Sequence, residues 1–292
     1  MKKNLLAMLA ACTVVLSGCA GMAISDPAPL AETARSVSAP EAEEEFEEPE
    51  YEIVPLSSGS QVRTEDETVV AVYNYQTILL NLHNEGAVSP EDEESAQRNV
   101  EAFNSKMRAV LGELIEQGGA FGEDALAVCE EFGPLSAEYE DGADMGAEFC
   151  GDIISVILHR VSYTGGAHPN RYAASYLFDL ASGQFIDPTQ IAEDPEAFRA
   201  GAAELLLEKA DAHPERDAFW QDYADVIAHW NEGTVLFDQE GMRVVFSHYV
   251  LGPYSLGTVE LCLDYGELAE LVGSGGMERL GRAEPYGEAE LE

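Results

Sequence analysis

Positive charge is scarce in this chain: 15 lysines and arginines stand against 55 aspartates and glutamates, a formal net charge of −40. Phosphate-rich partners would be repelled, which excludes nucleic acid and disfavours bare anionic lipid, whereas cationic proteins, peptides or metal ions suit such a field. Much of this acidity also serves simply to keep an exported protein soluble. Histidine is sparse as well. His83, His159, His168, His213, His229 and His248 show no H-E-x-x-H or similar metal spacing, and there is no G-x-S-x-G elbow, so neither a metal nor another cofactor is expected. No apolar run is long enough to span a bilayer: Leu5 to Leu16 gives 12 residues, against the roughly 20 that a spanning helix needs.

That short run is nevertheless informative. Lys2 and Lys3 precede it, and Leu16-Ser17-Gly18-Cys19 closes it in the manner of a bacterial lipobox. Residues 1–18 are thus expected to be a signal peptide and Cys19 the lipidated residue, which would fix the protein to the extracytoplasmic face of the cell membrane. By resemblance to bacterial lipoproteins Cys19 carries three acyl chains, and two already suffice for stable anchoring. Residues 19–61 are rich in Ala, Pro, Ser and Glu and contain the block Glu41 to Glu50. Such a composition cannot bury enough apolar surface to offset its ordering entropy, so it is expected to be a disordered acidic spacer.

After the spacer the patterning becomes that of a folded chain. Thr68 to Ile78 is β-branched and aromatic and predicts a strand. Ser89-Pro90 with Glu91, Asp92 and Glu93 predicts a helix start, apolar residues recur at helical spacing from Ala96 to Ile115, and Gly118-Gly119 predicts its end. Leu135 to Tyr139 and Glu148 to Tyr163 are candidate strands beneath that helix. Further on, the pattern predicts strands at Tyr172 to Leu180, Thr234 to Phe237, Met242 to Phe246 and Thr258 to Leu263. It predicts helices after Asp194-Pro195, over Phe219 to Trp230 and over Tyr265 to Val272. Strands adjacent in sequence with helices in separate blocks predict an α+β fold of antiparallel sheets packed by helices. Two small subdomains are expected, 62–168 and 169–272, followed by a disordered tail over 273–292.

Two motifs stand out, Tyr163-Thr164-Gly165-Gly166-Ala167-His168-Pro169 with Tyr176 to Gly183, and Phe246-Ser247-His248-Tyr249-Val250-Leu251-Gly252-Pro253-Tyr254-Ser255-Leu256-Gly257. Together they resemble the extracellular module of the lysozyme-sensing anti-sigma factor V and the amino-terminal, non-catalytic region of certain peptidoglycan deacetylases. The resemblance spans roughly residues 62–272. Only Met1 to Asn4 precede the apolar run and only residues 273–292 follow the module, so neither a sigma-factor-holding segment nor a catalytic domain is expected.

These readings make the protein a surface lipoprotein whose module binds an extracellular ligand, a cationic protein such as lysozyme or a cell-wall glycan. A wall-polymer hydrolase or deacetylase with His168 near its centre is the alternative, and a scaffold module is a third. Candidate binding residues are Gly165, Gly166, His168 and Tyr254, with the glycine pair expected to shape a strand-to-strand turn. His159, alternating with Ile153, Ser155 and Ile157, is expected to be half-buried and structural, and Trp220 and Trp230 to be core residues of one helix. Of the five cysteines, Cys12 leaves with the signal and Cys19 is acylated, leaving Cys129, Cys150 and Cys262 for one bridge and a spare thiol. Cys129–Cys150 is the favoured pair, because the chain is expected to double back between them.

Overall fold

The computed structural model describes residues 46–282; Cys19, the signal segment, residues 283–292 and most of the expected spacer lie outside them. The first strand, β1 (Tyr51–Arg63), begins inside the stretch expected as spacer. It pairs along its length with β2 (Val69–Leu82), so Tyr51, Ile53 and Leu56 pack against the core and anchor residues whose composition alone looked unfoldable.

Helix α1 (Pro90–Phe132) is 43 residues long. The Ser89 hydroxyl caps it by accepting from the Asp92 N–H, and the acidic residues of its first turn favour the positive end of the dipole. It does not stop at Gly118-Gly119. Gly118 lies where a β-carbon would collide with the Tyr75 ring, so the glycine lets the helix ride close over the sheet rather than ending it. From α1 the chain returns as β3 (Tyr139–Cys150), which pairs parallel to β2 from Ala71↔Tyr139 to Tyr75↔Ala143. The helix supplies the crossover that a parallel pair requires. The larger sheet is therefore mixed rather than purely antiparallel.

Strands β4 (Ile153–Tyr163), β5 (Asn170–Asp179) and β6 (Gln184–Ile186) continue it antiparallel, giving the order β1-β2-β3-β4-β5-β6. β4 and β5 pair from Ile153↔Asp179 to Ser162↔Asn170, so the expected subdomain boundary at 168/169 falls inside a continuous hairpin. The expected strand Glu148 to Tyr163 is two strands, which reverse at Gly151-Asp152.

α1 covers one face of this sheet, with Phe103, Met107, Val110 and Leu114 packed on Tyr75, Met145, Ile154, Val156, Leu158 and Phe178. Inside that layer Arg160 is held bidentately by Asp141, at 2.8 Å from Nε and 2.7 Å from Nη2. Tyr75 donates to the same carboxylate at 2.5 Å. Gln117 and Tyr172 accept from Arg160 Nη1. Burial would lower the Arg160 guanidinium, but its bonds to Asp141 and Tyr172 outweigh that and hold it above its ordinary range, while burial and then Asp141 push the Tyr75 phenol up.

The opposite face meets a second sheet, β7 (Thr234–Phe237), β8 (Gly241–Phe246) and β9 (Val259–Asp264), in order β7-β8-β9 and wholly antiparallel. Helices α2 (Pro195–Asp211), α3 (Tyr223–Ile227) and α4 (Tyr265–Arg279) complete its core around Trp230, Phe198, Phe237 and Leu268. Asp194 caps α2, and Asp264 with Glu267 forms a reciprocal cap on α4. The expected helix from Phe219 to Trp230 is reduced to α3 with short 3₁₀ turns on either side. α4 continues past Val272, with a break at Gly273 where φ is +77°, so part of the expected tail is helical. Hydroxyls join the two sheets. Ser155 and Ser175 accept from the backbone N–H groups of Phe237 and Val235 at 2.9 and 2.8 Å, and Thr234 donates to the Ala173 carbonyl at 2.8 Å.

The expected Cys129–Cys150 bridge is not formed; both thiols are free, as is Cys262. Cys129 packs beside Tyr139 at the start of β3, whereas Cys150 is at the end of that 12-residue strand. At about 3.3 Å per residue this separates them by roughly 36 Å, far beyond disulfide reach. Cys150 instead bonds the Phe237 carbonyl at 3.2 Å, and burial pushes its thiol up to about 11. No helix among the described residues is long and apolar enough to cross a membrane.

Candidate functional site

The β4–β5 loop and the segment after β8 bring the sequence-predicted residues together. His168 stacks on Tyr254, with ring centroids 3.6 Å apart and planes at 14°. On Tyr254 there also leans His248, at 4.5 Å, and Tyr249 lies 5.6 Å away. His168 Nδ1 is 3.2 Å from the Pro169 carbonyl, which can only accept. A proton on Nδ1 donates to that carbonyl, and Nε2 lies 3.1 Å from the Tyr249 hydroxyl. Burial, followed by the nearby Arg171 and His168, lowers the His248 imidazole below its usual value.

The two glycines divide the work differently from expectation. Gly165 has φ +78°, whereas Gly166 has open space around it and no positive φ. The loop is closed by the Tyr163 hydroxyl, which donates to the Gly166 carbonyl at 3.0 Å. Gly165→Val should therefore lower stability by about 1–3 kcal/mol, because a β-branched residue resists that backbone, while Gly166→Val should stay within about 0.5 kcal/mol. Urea unfolding of the two variants checks the contrast.

Tyr249 is itself unusual, being a non-glycine residue at φ +67°. Strain of this kind is held only where surrounding contacts fix it, and it gathers at binding sites. Tyr249 is 48% exposed, Val250 beside it is 37% exposed, and Trp220 is 42% exposed. Trp220 adjoins them through its backbone N–H, which donates to Leu251 at 2.9 Å. The expectation that both tryptophans are core holds for Trp230, which is fully buried, and fails for Trp220. His248 and Tyr249 stand in the second motif without being named there as binding residues, and Trp220 is named only as core. The signal for Tyr249 and Val250 is an apolar pair in a Gly- and Pro-bounded loop.

Among the described residues no hydrogen bond or ion pair joins His168 or His248 to a carboxylate, and no three of His, Cys, Asp and Glu are grouped to hold a metal ion. His159 does not follow its expected half-buried role. It is exposed, because the second sheet covers β4 over Ile153 and Ser155 but not as far as residue 159.

No family model and no curated protein matches this sequence. Among solved structures it is similar to a DUF3298 family member from Bacteroides fragilis, at 15% identity and a TM-score of 0.58 over 81% of this chain and 97% of that one. It is also similar to a DUF3298 family protein from Pseudomonas aeruginosa, at 16% identity and a TM-score of 0.49 over 79% and 97%. These comparisons do not show the resemblance to the anti-sigma factor and deacetylase modules that the two loop motifs suggest. The structural neighbours of this chain are thus DUF3298 proteins, and the first of them establishes a shared fold.

Proposed function

We propose that this chain is a lipid-anchored surface module that binds a basic extracellular protein, with lysozyme the first candidate. The observation that carries the reading is the aromatic patch of His168, Tyr249 and Tyr254, displayed by two loops on an otherwise strongly acidic chain, with the exposed Trp220 on the neighbouring segment that bonds Leu251. Exposed Trp and Tyr side chains on a fixed backbone are the residues from which interface hot spots are made. The surrounding negative field would speed encounter with a basic partner and make association weaken with salt. The lipobox ending at Cys19 supports an anchor on the extracytoplasmic face.

Two rival readings are separable. Exposed rings also suit stacking on a wall glycan, and the histidine pair is what a wall-polymer hydrolase or deacetylase would need near its centre, although it lacks a carboxylate partner. Calorimetry of the full chain with lysozyme at near-physiological salt tests the proposal. Binding is expected, and Tyr249→Ala or Trp220→Ala should weaken it at least tenfold without changing the melting temperature. No heat with lysozyme, equal affinity for every basic protein, or heat only with soluble wall glycan would overturn it. Cys19→Ala should release the protein from the membrane or leave it unprocessed; a processed, detergent-partitioning Cys19→Ala variant would overturn the anchor.

A further inference from the structure

Where β4 ends and β5 begins, the two sheets part beside the hydroxyl seam and leave a cavity of 180 Å³. Leu158 of β4 and Ala174 of β5 pack under α1, so alternation turns His159 and Val161 of the one strand, and Arg171 and Ala173 of the other, to the opposite face, where the cavity lies. The register pairs Val161 with Arg171 and His159 with Ala173. His159 and Arg171 are therefore diagonal neighbours, about 7–8 Å apart at the backbone and within reach of one ligand. Val245, Ser247, Thr258 and Glu260, from β8, β9 and the segment between them, form the facing wall.

The lining gathers donors and leaves free acceptors out. Arg98, Arg160, Arg199, Arg216, Arg243 and Arg279 each hold a carboxylate, as befits a chain with 55 acidic residues. Arg171 is exposed in this cavity, yet it has no ion pair and no side-chain hydrogen bond among the described residues. Its charge acts instead on another cationic group: burial first, and then Arg171 and His168, hold the His248 imidazole below its usual value. Ser247 accepts from the Ala173 N–H at 3.0 Å and still has its own proton to give. Thr258 Oγ1 stands on the cavity wall, 3.4 Å from His248 Nδ1. Glu260, the one carboxylate of the lining, is engaged by Arg243 at 3.3 Å. Asp144 faces His159 from β3 but lies outside the lining and makes no ion pair with it. Cationic groups drawn together without a counter-ion oppose folding, and they are kept where they meet a ligand of the opposite sign.

We propose that this cleft binds a carboxylate, that of a peptide's free C-terminus, which Arg171 holds through paired N–H groups while the Ser247 and Thr258 hydroxyls donate to it and His159 flanks it. A planar guanidinium and a planar carboxylate match in two parallel hydrogen bonds. Arg160 in the same lining is already neutralised by Asp141, so one uncompensated permanent charge remains, which suits a monoanion better than a phosphate dianion. Val161, Ala173 and Val245 give the rest of the lining an apolar surface for the terminal side chain, which a hydroxyl-covered sugar acid cannot use without losing bonds to water. The negative field of the whole chain does not prevent this, because at physiological salt it is screened beyond about 8 Å and a carboxylate seated on Arg171 feels the local charge first. The cleft adjoins the aromatic patch through His248, but its ligand is independent of lysozyme binding.

The test is fluorescence anisotropy of the full chain with a short, N-terminally labelled peptide that ends in alanine with a free carboxyl group, compared with its C-terminal amide. Unlabelled peptide acid, inorganic phosphate and N-acetylmuramic acid serve as competitors. The acid should bind, and the amide at least tenfold more weakly, since it lacks the charge and has one acceptor oxygen in place of two. Arg171→Gln should weaken binding of the acid at least tenfold and leave the melting temperature unchanged, because the side chain supports nothing else in the fold. Arg171→Lys should restore part of the loss, keeping the charge without the paired geometry, and Thr258→Val should weaken binding several-fold. Equal binding of acid and amide, no binding of the acid at millimolar peptide, unchanged affinity in Arg171→Gln, or a lowered melting temperature in that variant would overturn the proposal, the last by showing the arginine to be structural. Displacement by phosphate or N-acetylmuramic acid at lower concentration than by the unlabelled peptide acid would overturn the peptide as the source of the charge.

Discussion

Replacing Arg160 with alanine is expected to lower stability by about 3–5 kcal/mol, because it strands a charge inside the protein. The Asp141 side chain is fully buried, and the Arg160 side chain beside it is only 11% exposed. Without the guanidinium the carboxylate keeps the Tyr75 hydroxyl alone, too little to replace the water it has lost. The defect should spread beyond one contact, since this network joins β2, β3, β4, β5 and α1. Urea unfolding measures the loss. Replacing the pair together, as Arg160→Met with Asp141→Leu, should recover much of it, since an apolar pair carries no desolvation cost. An Arg160→Ala protein within about 1 kcal/mol of the parent would mean that Asp141 is rehydrated or protonated in the folded state.

Trp230→Ala is the second large effect, again about 3–5 kcal/mol, now through a cavity rather than a charge. The indole is fully buried, meets Phe198 edge-on at 5.3 Å, and donates to the Arg199 carbonyl at 2.9 Å. Its removal empties the centre of the core shared by α2, α3 and the smaller sheet and takes away a bond to a carbonyl of α2. For a folded region of this size the loss corresponds to a fall in melting temperature of about 6–20 °C. Trp220→Ala serves as the internal control. With the residue 42% exposed, it should change stability by no more than about 0.5 kcal/mol. Thermal unfolding of the two variants therefore separates a tryptophan that holds the fold from one that faces a partner.

What the sequence disclosed depended on whether a segment's chemistry matched its local structure. β2, β5, β7 and β8 are rich in β-branched and aromatic residues, and the caps at Ser89, Asp194 and Asp264 are written in polar residues, so those elements were legible. β3 was not, because Gly142, Asp144, Gly146 and Glu148 supply none of the usual strand formers; its conformation comes from pairing with β2 and β4 on either side. The pattern cuts α1 short because Gly118-Gly119 looks like a stop, while the close approach to Tyr75 that explains Gly118 is a tertiary fact. The His168 and Tyr254 contact was half visible. Each lay in a conspicuous motif, but their stacking depends on the second sheet lying against β5, which no local pattern announces. The disulfide expectation failed for the same reason as β3: a strand unseen in the sequence holds the two cysteines apart.

The hydroxyl seam between the sheets bears on self-association. An uncovered edge strand offers a row of unpaired donors and acceptors on which a second copy can template, the usual first step toward fibrillar growth. β7 is such an edge in its own sheet, yet the N–H groups of Val235 and Phe237 are already spent on Ser175 and Ser155. At the ends of the larger sheet, β6 is only three residues long, and β1 is interrupted by Pro55, which has no N–H to give. A second copy would thus find little backbone to zip onto at β7, β6 or Pro55 of β1, and two small serines do for the inner edge what proline does for the outer one.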